Sequence, residues 1–237
     1  MIKLLLTAAV ISSLAVSSSN KEMIRDTDAA SFAVTDSDAS EKPLELVDFG
    51  WYVKEPSDDT AYVHFCGLIR NPNEDLTAMF PRMIVTVKDG GGNISAVEEQ
   101  VGSDVKPGDT ITLCGMLSMP AADVTKDAEI IFDMDWMEFK SSSPIHRGVR
   151  TTDFEIRNVS IKNKGINSVV TGEIINHYSE DIDLVNVSVV FRKEGEIVYM
   201  DNTYLDGLKA DRAKAFEIQQ YGPWPEHDTI EVSAMEW

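Results

Sequence analysis

The sequence predicts an all-β protein built from two tandem β-sandwich domains, and three observations support this. Apolar and polar residues alternate in short runs bounded by Gly, Pro, Asn and Asp, which is the pattern of β-strands. The pattern occurs twice, and the copies end on similar signatures, Asp133-Met134-Asp135-Trp136 and Ala234-Met235-Glu236-Trp237. Each copy has about the length and strand number of a small sandwich, so we expect two small domains rather than one large one.

The first 43 residues carry targeting and spacer signals. Residues 1–20 have one cation, Lys3, then an apolar run from Leu4 to Val16 and small polar residues, which is typical of a secretory signal peptide. An uncleaved anchor is the alternative, but the run is shorter than the roughly 20 residues of a membrane span. Residues 21–43 are rich in Ser, Thr, Asp and Ala and are predicted to be a disordered leader. We therefore expect a secreted protein with no stable membrane span in its mature chain.

Residues 44–136 form the first predicted domain. Its strands are separated by turns rich in Asn, Pro, Gly and Asp, such as 71–73, 89–93 and 106–109. The strands that we expect are 44–53, 61–70, 79–88, 94–100, 110–119 and 129–136.

Residues 137–152 are the predicted linker, and residues 153–237 form the second predicted domain. Landmarks recur in the same order in both domains: Gly67 to Asn71 matches Gly172 to Asn176, and Pro120 matches Pro223. The strands expected in the second domain are 154–162, 168–176, 184–193, 197–204, 213–221 and 229–237.

Both copies resemble the FxLYD domains, which are Ig-like β-sandwiches found, often in tandem, in exported bacterial proteins. Val85-Thr86-Val87-Lys88-Asp89, with Gly92 following, lies where the naming motif of that family falls, and Val189-Val190-Phe191-Arg192-Lys193 is its counterpart. Both segments depart from the motif at its aromatic positions, and the second also lacks the Asp; Asn71 and Asn176 match better. The resemblance implies an Ig-like fold and an extracytoplasmic accessory module without catalytic residues, but it implies no ligand.

The chain is strongly acidic, with a formal net charge of −19 from 40 acidic and 21 basic residues. Both predicted domains share the negative charge, which repels phosphate backbones and anionic lipid headgroups. We therefore expect no nucleic-acid partner. Solubility is the simplest role for this charge.

Two cysteines, Cys66 and Cys114, both lie in the first predicted domain. Their counterparts in the second domain are the polar residues Thr171 and Glu217, so both thiols are expected to point away from the domain core. In an Ig-like strand order the two residues face each other across a ladder. An even cysteine count in an exported chain favours a disulfide, and two free surface thiols are the alternative.

No motif in the sequence indicates catalysis or a cofactor. The four histidines are scattered and do not form the close-spaced pairs of a zinc site. A calcium site between the domains is the one metal alternative, and it would use the carboxylates of Asp133, Asp135, Asp153 and Glu155. The simplest interpretation of these residues is a solvent-exposed strand edge. Nucleophile and phosphate-binding motifs are absent, so we predict no enzyme, no metal and no cofactor; an acidic hydrolase would need a defined carboxylate pair.

The predicted contact feature is the loop Tyr221-Gly222-Pro223-Trp224-Pro225, in which Tyr221 and Trp224 have no counterpart in the first domain. An aromatic braced by prolines suits stacking on a sugar ring or a partner side chain. The alternative is a Trp224 ring folded over the end of the sandwich. The sequence thus predicts a non-catalytic module for binding or spacing, with an unidentified extracellular protein or a glycan as partner; a carbohydrate-binding module beside a separate enzyme is the alternative. Edge strands also allow association between copies.

Overall fold

The computed structural model describes residues 7–9, 41–57, 59–124, 127–141, 148–164 and 166–237. Most of these residues lie in β-strands, and the helical elements among them are two short 3-10 turns, Ala121–Asp123 and Thr151–Asp153. The prediction of an all-β fold is confirmed. Apart from the strand at Thr7–Ala9, the predicted signal peptide and almost all of the predicted leader lie outside the described residues.

We call the residues up to Ser141 the first half and those from Phe154 onward the second half. The strands of the first half are β1 (Thr7–Ala9), β2 (Glu45–Ser57), β3 (Thr60–Arg70), β4 (Leu76–Met79), β5 (Arg82–Lys88), β6 (Ile94–Val101), β7 (Asp104–Val105), β8 (Thr110–Pro120), β9 (Glu129–Asp135) and β10 (Glu138–Ser141). The strands of the second half are β11 (Phe154–Lys164), β12 (Asn167–Asn176), β13 (Ile182–Lys193), β14 (Glu196–Leu208), β15 (Ala213–Tyr221) and β16 (Thr229–Glu236).

These strands form five sheets. The first half contains the sheets β1-β9-β5-β6, β2-β3-β8 and β10-β4-β7, and the second half contains β11-β12-β15 and β14-β13-β16. All pairings are antiparallel except that of β1 with β9. Among the described residues, no strand ladder joins one half to the other.

The expected strand over residues 79–88 is wrong, because the structure divides it into β4 and β5. Phe80 has a left-handed backbone with φ of 48°, and the next residue is Pro81, which lacks the N–H that a ladder needs. A second difference concerns the predicted linker. Its residues 138–141 form β10, which pairs with β4, and residues 142–147 lie outside the described residues.

Each half has an apolar core between two sheets. In the first half, residues such as Phe65 of β3 and Leu113 of β8 meet Val85 of β5 and Phe132 of β9. The corresponding core of the second half packs β12 and β15 against β13 and β14; its members include Val170, Ile174, Val187, Val189, Phe191, Phe216 and Ile218. Burial of these side chains supplies the main driving force for folding.

The matched asparagines make similar hydrogen bonds in both halves. Asn71 is fully buried and its amide donates to the carbonyl oxygens of Leu76 (2.6 Å) and Val105 (2.8 Å). Asn176 is equally buried, and its amide donates to the carbonyl oxygens of Glu180 (2.8 Å) and Leu208 (3.4 Å). Each asparagine thereby joins the segment that follows its own strand to a later strand, β7 in the first half and the end of β14 in the second.

A third apolar cluster lies between the two halves. Cys66 packs against Val190, Ile197 and Met200 of the second half. The sheets therefore stack in four layers, in the order β1-β9-β5-β6, β2-β3-β8, β14-β13-β16 and β11-β12-β15. Both middle sheets are covered on both faces, which explains why consecutive residues of β13 are buried.

Candidate functional site

The interface between the halves combines close packing with ion pairs. Gly50 of β2 lies so close to Ile197 of β14 that a Cβ at position 50 would approach the Cβ of Ile197 to 2.5 Å. Arg192, whose side chain is 14% exposed, lies 2.6 Å from the Asp48 carboxylate and 2.8 Å from that of Glu231. A glycine is therefore required at position 50 if the two middle sheets are to touch.

Hydrogen bonds continue this interface toward the C-terminal end of β16. The Ser233 hydroxyl donates to the Thr112 hydroxyl over 3.1 Å, and the Ser103 hydroxyl donates to the Glu236 carbonyl oxygen over 2.6 Å. Met235 of β16 is buried in the core of the first half. The second half thus contributes directly to the packing of the first.

The structure places Cys66 directly opposite Cys114 in the β3–β8 ladder. Cys66 is fully buried in the cluster between the halves and Cys114 is half-buried at its margin; both are thiols here. The hydrogen-bond contact with Cys114, followed by burial, raises the pKa of the Cys66 thiol. The predicted disulfide stays a prediction, and its two residues lie side by side.

Five aromatic rings form a continuous row across one end of the interface, which we call the aromatic ladder: His64, Tyr52, Tyr199, Trp224 and Phe191. Tyr52 stacks on His64 with centroids 4.6 Å apart and on Tyr199 at 4.9 Å. Tyr199 meets Trp224 at 5.2 Å, and Trp224 stacks on Phe191 at 4.8 Å. The ladder therefore runs from β3 of the first half to the loop that follows β15 of the second.

Titratable groups in the ladder are shifted from their ordinary pKa values. Burial, helped by the positive charge of Lys54, lowers the pKa of His64 to about 4. Burial raises the pKa of the Tyr52 and Tyr199 hydroxyls above their usual range, and it also raises the pKa of Asp201. The Tyr199 hydroxyl donates to the Asp201 carboxylate over 3.0 Å. At neutral pH His64 is accordingly an uncharged packing residue.

The two predicted contact residues have different surroundings. The Trp224 ring is half-buried and packs on Phe191 and Tyr199, an arrangement that resembles the alternative of an indole folded over the end of the sandwich; the contact role of Trp224 stays a prediction. Tyr221 is 72% exposed. The role of Tyr221 as a contact residue stays a prediction.

A second group of exposed residues was missed by sequence reasoning. Phe80, Met137, Tyr204 and Trp237 are 43%, 69%, 46% and 40% exposed, and we call this group the seam patch because both halves contribute to it. The repeated Trp136 and Trp237 signature suggested internal packing only. The one sequence signal that was available is the Phe80-Pro81 pair, which has no counterpart in the second copy.

Backbone contacts tie the seam patch together. The Met137 N–H donates to the Met79 carbonyl oxygen over 3.1 Å, and the Phe80 N–H donates to that of Ser103 over 2.8 Å. The Ser103 hydroxyl in turn donates to the carbonyl oxygen of Glu236, the residue before Trp237. The centroids of the Trp237 and Tyr204 rings are 5.5 Å apart. Four apolar side chains are therefore held on one fixed framework.

The rim of the seam patch is acidic. Burial raises the pKa of Glu236, Lys106 lowers it, and the charges of Asp104 and Asp183 raise it further. Asp104 pairs with Lys106 over 3.0 Å, so Glu236 and Asp183 carry the net negative charge of this rim. A cation approaching this rim is attracted electrostatically.

The outer sheet β11-β12-β15 carries an open groove of about 430 Å³. Its walls and floor include Asn158, Thr171, Glu173, Ala215 and Glu217. Asn158, which has a left-handed φ of 54° beside a bulge in β11, donates to the Glu173 carboxylate over 2.7 Å. The groove therefore offers amide, hydroxyl and carboxylate groups on an exposed sheet face.

Tyr221 lies on the same face of β15 as the groove. Phe216 and Ile218 point into the core, so the alternating residues Glu217 and Tyr221 point outward. Tyr221 follows Glu217 by four positions along the strand, which corresponds to roughly 13 Å. An exposed aromatic ring and a polar groove therefore share one surface.

The described residues do not support a metal site. No group of three or more His, Cys, Asp or Glu side chains among them is placed to hold a metal ion. Of the carboxylates considered for calcium, Asp135 pairs with Arg82, and Glu155 pairs with Arg157 (2.6 Å) and His177 (2.8 Å). In the same parts of the chain, no helix has the length and apolar character to cross a membrane.

Comparison with known proteins assigns the chain to no family. No protein-family model matches the chain, and no curated protein matches it. The FxLYD resemblance therefore stays a prediction.

Similar solved structures include β-glucuronidase 2 of Bacteroides uniformis, with 14% identity and a TM-score of 0.28 over 75% of this chain and 24% of that one. Red sea bream transglutaminase gives 5% identity and a TM-score of 0.23 over 78% of this chain and 28% of that one. The tandem CBM22-1–CBM22-2 domain of Paenibacillus barcinonensis Xyn10C gives 9% identity and a TM-score of 0.17 over 79% of this chain and 85% of that one. This chain thus spans about a quarter of the glucuronidase, and likenesses this distant carry no argument about activity.

Proposed function

We propose that the protein is a non-catalytic, extracytoplasmic binding module, in which two sandwich halves form one unit and present the seam patch to a partner protein. The observation that carries the proposal is the exposure of Phe80, Met137, Tyr204 and Trp237, whose neighbouring segments are linked across the junction by hydrogen bonds of Met79, Ser103 and Glu236. Contiguous exposed apolar groups on a soluble protein mark interaction sites, and aromatic and Met side chains are enriched there.

The chemistry of the rim indicates the kind of partner. Glu236 and Asp183 give the surroundings of Trp237 a net negative charge, since Asp104 is paired with Lys106. A protein with an apolar centre and Lys or Arg at its margin complements this surface. The packed interface supports the proposal because it fixes the relative positions of the residues that the two halves contribute.

The proposal is tested by quantitative cross-linking capture from the native culture with the tagged full chain. Trp237→Ala and Phe80→Gly are expected to reduce the captured partner by about tenfold or more, as hot-spot residues do. Glycine suits the left-handed backbone at position 80, so that variant keeps the fold.

Ile94→Ala is the matched control, because Ile94 is an exposed apolar residue on β6 outside the seam patch. If Trp237→Ala and Phe80→Gly capture as much partner as Ile94→Ala does, the proposed site is contradicted. Circular dichroism checks that each variant retains its strand content.

A second candidate function is binding of a neutral polysaccharide at the outer sheet. Tyr221 supplies an exposed ring, and the groove supplies Asn158, Thr171 and Glu173 on the same face. Stacking on an aromatic ring combined with polar side chains is a suitable surface for sugar rings.

Affinity electrophoresis in gels containing soluble polysaccharides tests this candidate. Tyr221→Ala is expected to abolish retardation, whereas Tyr204→Ala, which removes an exposed tyrosine of the seam patch, is expected to leave it unchanged. Mobility that no polysaccharide changes, or equal loss in both variants, argues against a glycan site at the outer sheet.

A further inference from the structure

The paired cysteines lie on the face of the first half that supports the second half. Cys66 is 0% exposed and is covered by Val190, Ile197 and Met200. Cys114 is half-buried at the margin of the same cluster. The two thiols therefore differ in their access to solvent although they touch each other.

The register of the ladder permits a bond without movement of the backbone. Residues directly opposite each other in an antiparallel pair have Cα atoms about 4.5 or 5.5 Å apart. Disulfides require a Cα separation of about 4.4–6.8 Å, so either spacing suits the pair. The side chains also lie on the same face of the sheet, as a cross-strand bridge requires.

We propose that Cys66 and Cys114 are an oxidation site of the folded protein, that Cys114 is the thiol through which oxidation enters, and that a disulfide oxidant is the co-reactant. The bond that forms joins β3 to β8 directly beneath the residues that dock the second half. It is a modification site that acts on the interface between the halves, and it does not depend on the proposed binding function.

The chemistry proceeds in two exchanges. The Cys114 thiolate attacks the disulfide of a small-molecule or protein oxidant, forms a mixed disulfide and releases one thiolate. Cys66 then loses its proton, and its sulfur attacks the Cys114 sulfur, forms the internal bond and releases the second thiolate. Two cysteine thiols are oxidised to one disulfide while the oxidant disulfide is reduced to two thiols.

Exposure sets the order of these steps. Thiol–disulfide exchange requires approach to sulfur along the line of the bond that breaks, and the second half blocks this approach to Cys66. Cys66 is therefore the resolving thiol, reached by its neighbour and not by the oxidant. The bond closes a loop between positions 66 and 114 and restricts the unfolded chain.

The test uses the folded, reduced full chain with excess glutathione disulfide, followed by acid quench and intact mass measurement. We expect the wild-type chain to lose the mass of two hydrogen atoms, Cys66→Ala to gain one glutathione at Cys114, and Cys114→Ala to stay unmodified. The oxidised wild type is expected to melt at a higher temperature than the reduced protein, and the melting temperature of Cys114→Ala should not respond to the oxidant.

Three results would overturn the proposal: modification of Cys114→Ala at the rate of Cys66→Ala, wild-type protein that carries glutathione without an internal bond, or equal melting temperatures of the two redox forms. Should a variant fail to fold, partial alkylation of the reduced wild type followed by peptide mapping gives the same answer. Label on Cys114 before Cys66 supports the entry role, and the reverse order contradicts it.

Discussion

His64 shows how burial at the interface changes the chemistry of a single side chain. Its ring stacks on Tyr52, and burial together with Lys54 lowers its pKa to about 4, from the ordinary histidine value of 6.5. Between these two pKa values the unfolded chain binds a proton that the folded chain does not. The contribution of His64 to stability is thus fully present above pH 6.5 and is lost as the pH falls toward 4.

We therefore predict that the free energy of unfolding decreases by about 1–2 kcal/mol from this residue between pH 6.5 and pH 4, after allowance for partial exposure of the ring. His64→Gln removes the titration and is expected to flatten this part of the pH profile, with a constant offset for the lost stacking. Urea denaturation at a series of pH values measures the slope, and His177→Gln controls for loss of an exposed imidazole. An unchanged slope in His64→Gln contradicts the assignment.

Some residue roles are predictable from the sequence and others are not. Asn71 and Asn176 stand out because the repeat aligns them, and the structure gives them matching hydrogen bonds. Trp224 belongs to one copy only, so the repeat carries no information about its surroundings. Its packing on Phe191 depends on where the loop after β15 lies, which is a tertiary property.

Among the elements, three of the long strands follow closely from their alternating patterns, whereas β2 and β14 run four residues beyond their predicted ends. The expected strand 213–221 matches β15, and those at 61–70 and 168–176 differ from β3 and β12 by one residue at the start. The short elements were missed because they carry too few residues for a periodic signal. β10 forms because residues 138–141 find β4 as a neighbour, and its own sequence is not distinctive.

Arg192 of β13 forms an ion pair with Asp48 of β2 and so links the two middle sheets. We predict that Arg192→Ala lowers the free energy of unfolding by about 2 kcal/mol, because it leaves the Asp48 carboxylate at the interface without its partner. Arg157→Ala is the matched control, since Arg157 pairs with Glu155 on the exposed outer sheet and little change is expected there. Chemical denaturation of both variants measures the difference, and equal effects would contradict a special role for Arg192.

Four of the five sheets form a stack, and this arrangement could not be predicted from the sequence. The predicted outer face of β3 and β8 carries Cys66, Leu68 and Thr112, a mixture that resembles a solvent-facing surface. No sequence pattern indicates that Gly50 and Ile197 are in contact, although the lack of a side chain at Gly50 leaves the space that the Ile197 side chain occupies. Complementary shape between distant segments leaves no periodic signal.

We predict that the stacked halves unfold in one calorimetric transition and that Gly50→Ala separates it into two. The added methyl group meets Ile197 at its Cβ, which has no freedom to move aside, at an expected cost of about 1–3 kcal/mol. Gly91→Ala, at an exposed hairpin tip, is the control, and a second substitution, Ile197→Gly, is expected to restore part of the coupling. A single unshifted transition in Gly50→Ala would show that the halves do not depend on this contact.

The double coverage of the middle sheets has a practical consequence for anyone who divides the chain. A fragment that ends near residue 141 would lay Cys66 and Leu68 open to water, and one that begins near residue 154 would do the same to Val190 and Met200. We expect such fragments to aggregate, and the first to form cystine-linked dimers, even where each retains its own core. Loss of solubility in a truncated protein would then result from the absence of the other half, and not from a wrong choice of the position where the chain is cut.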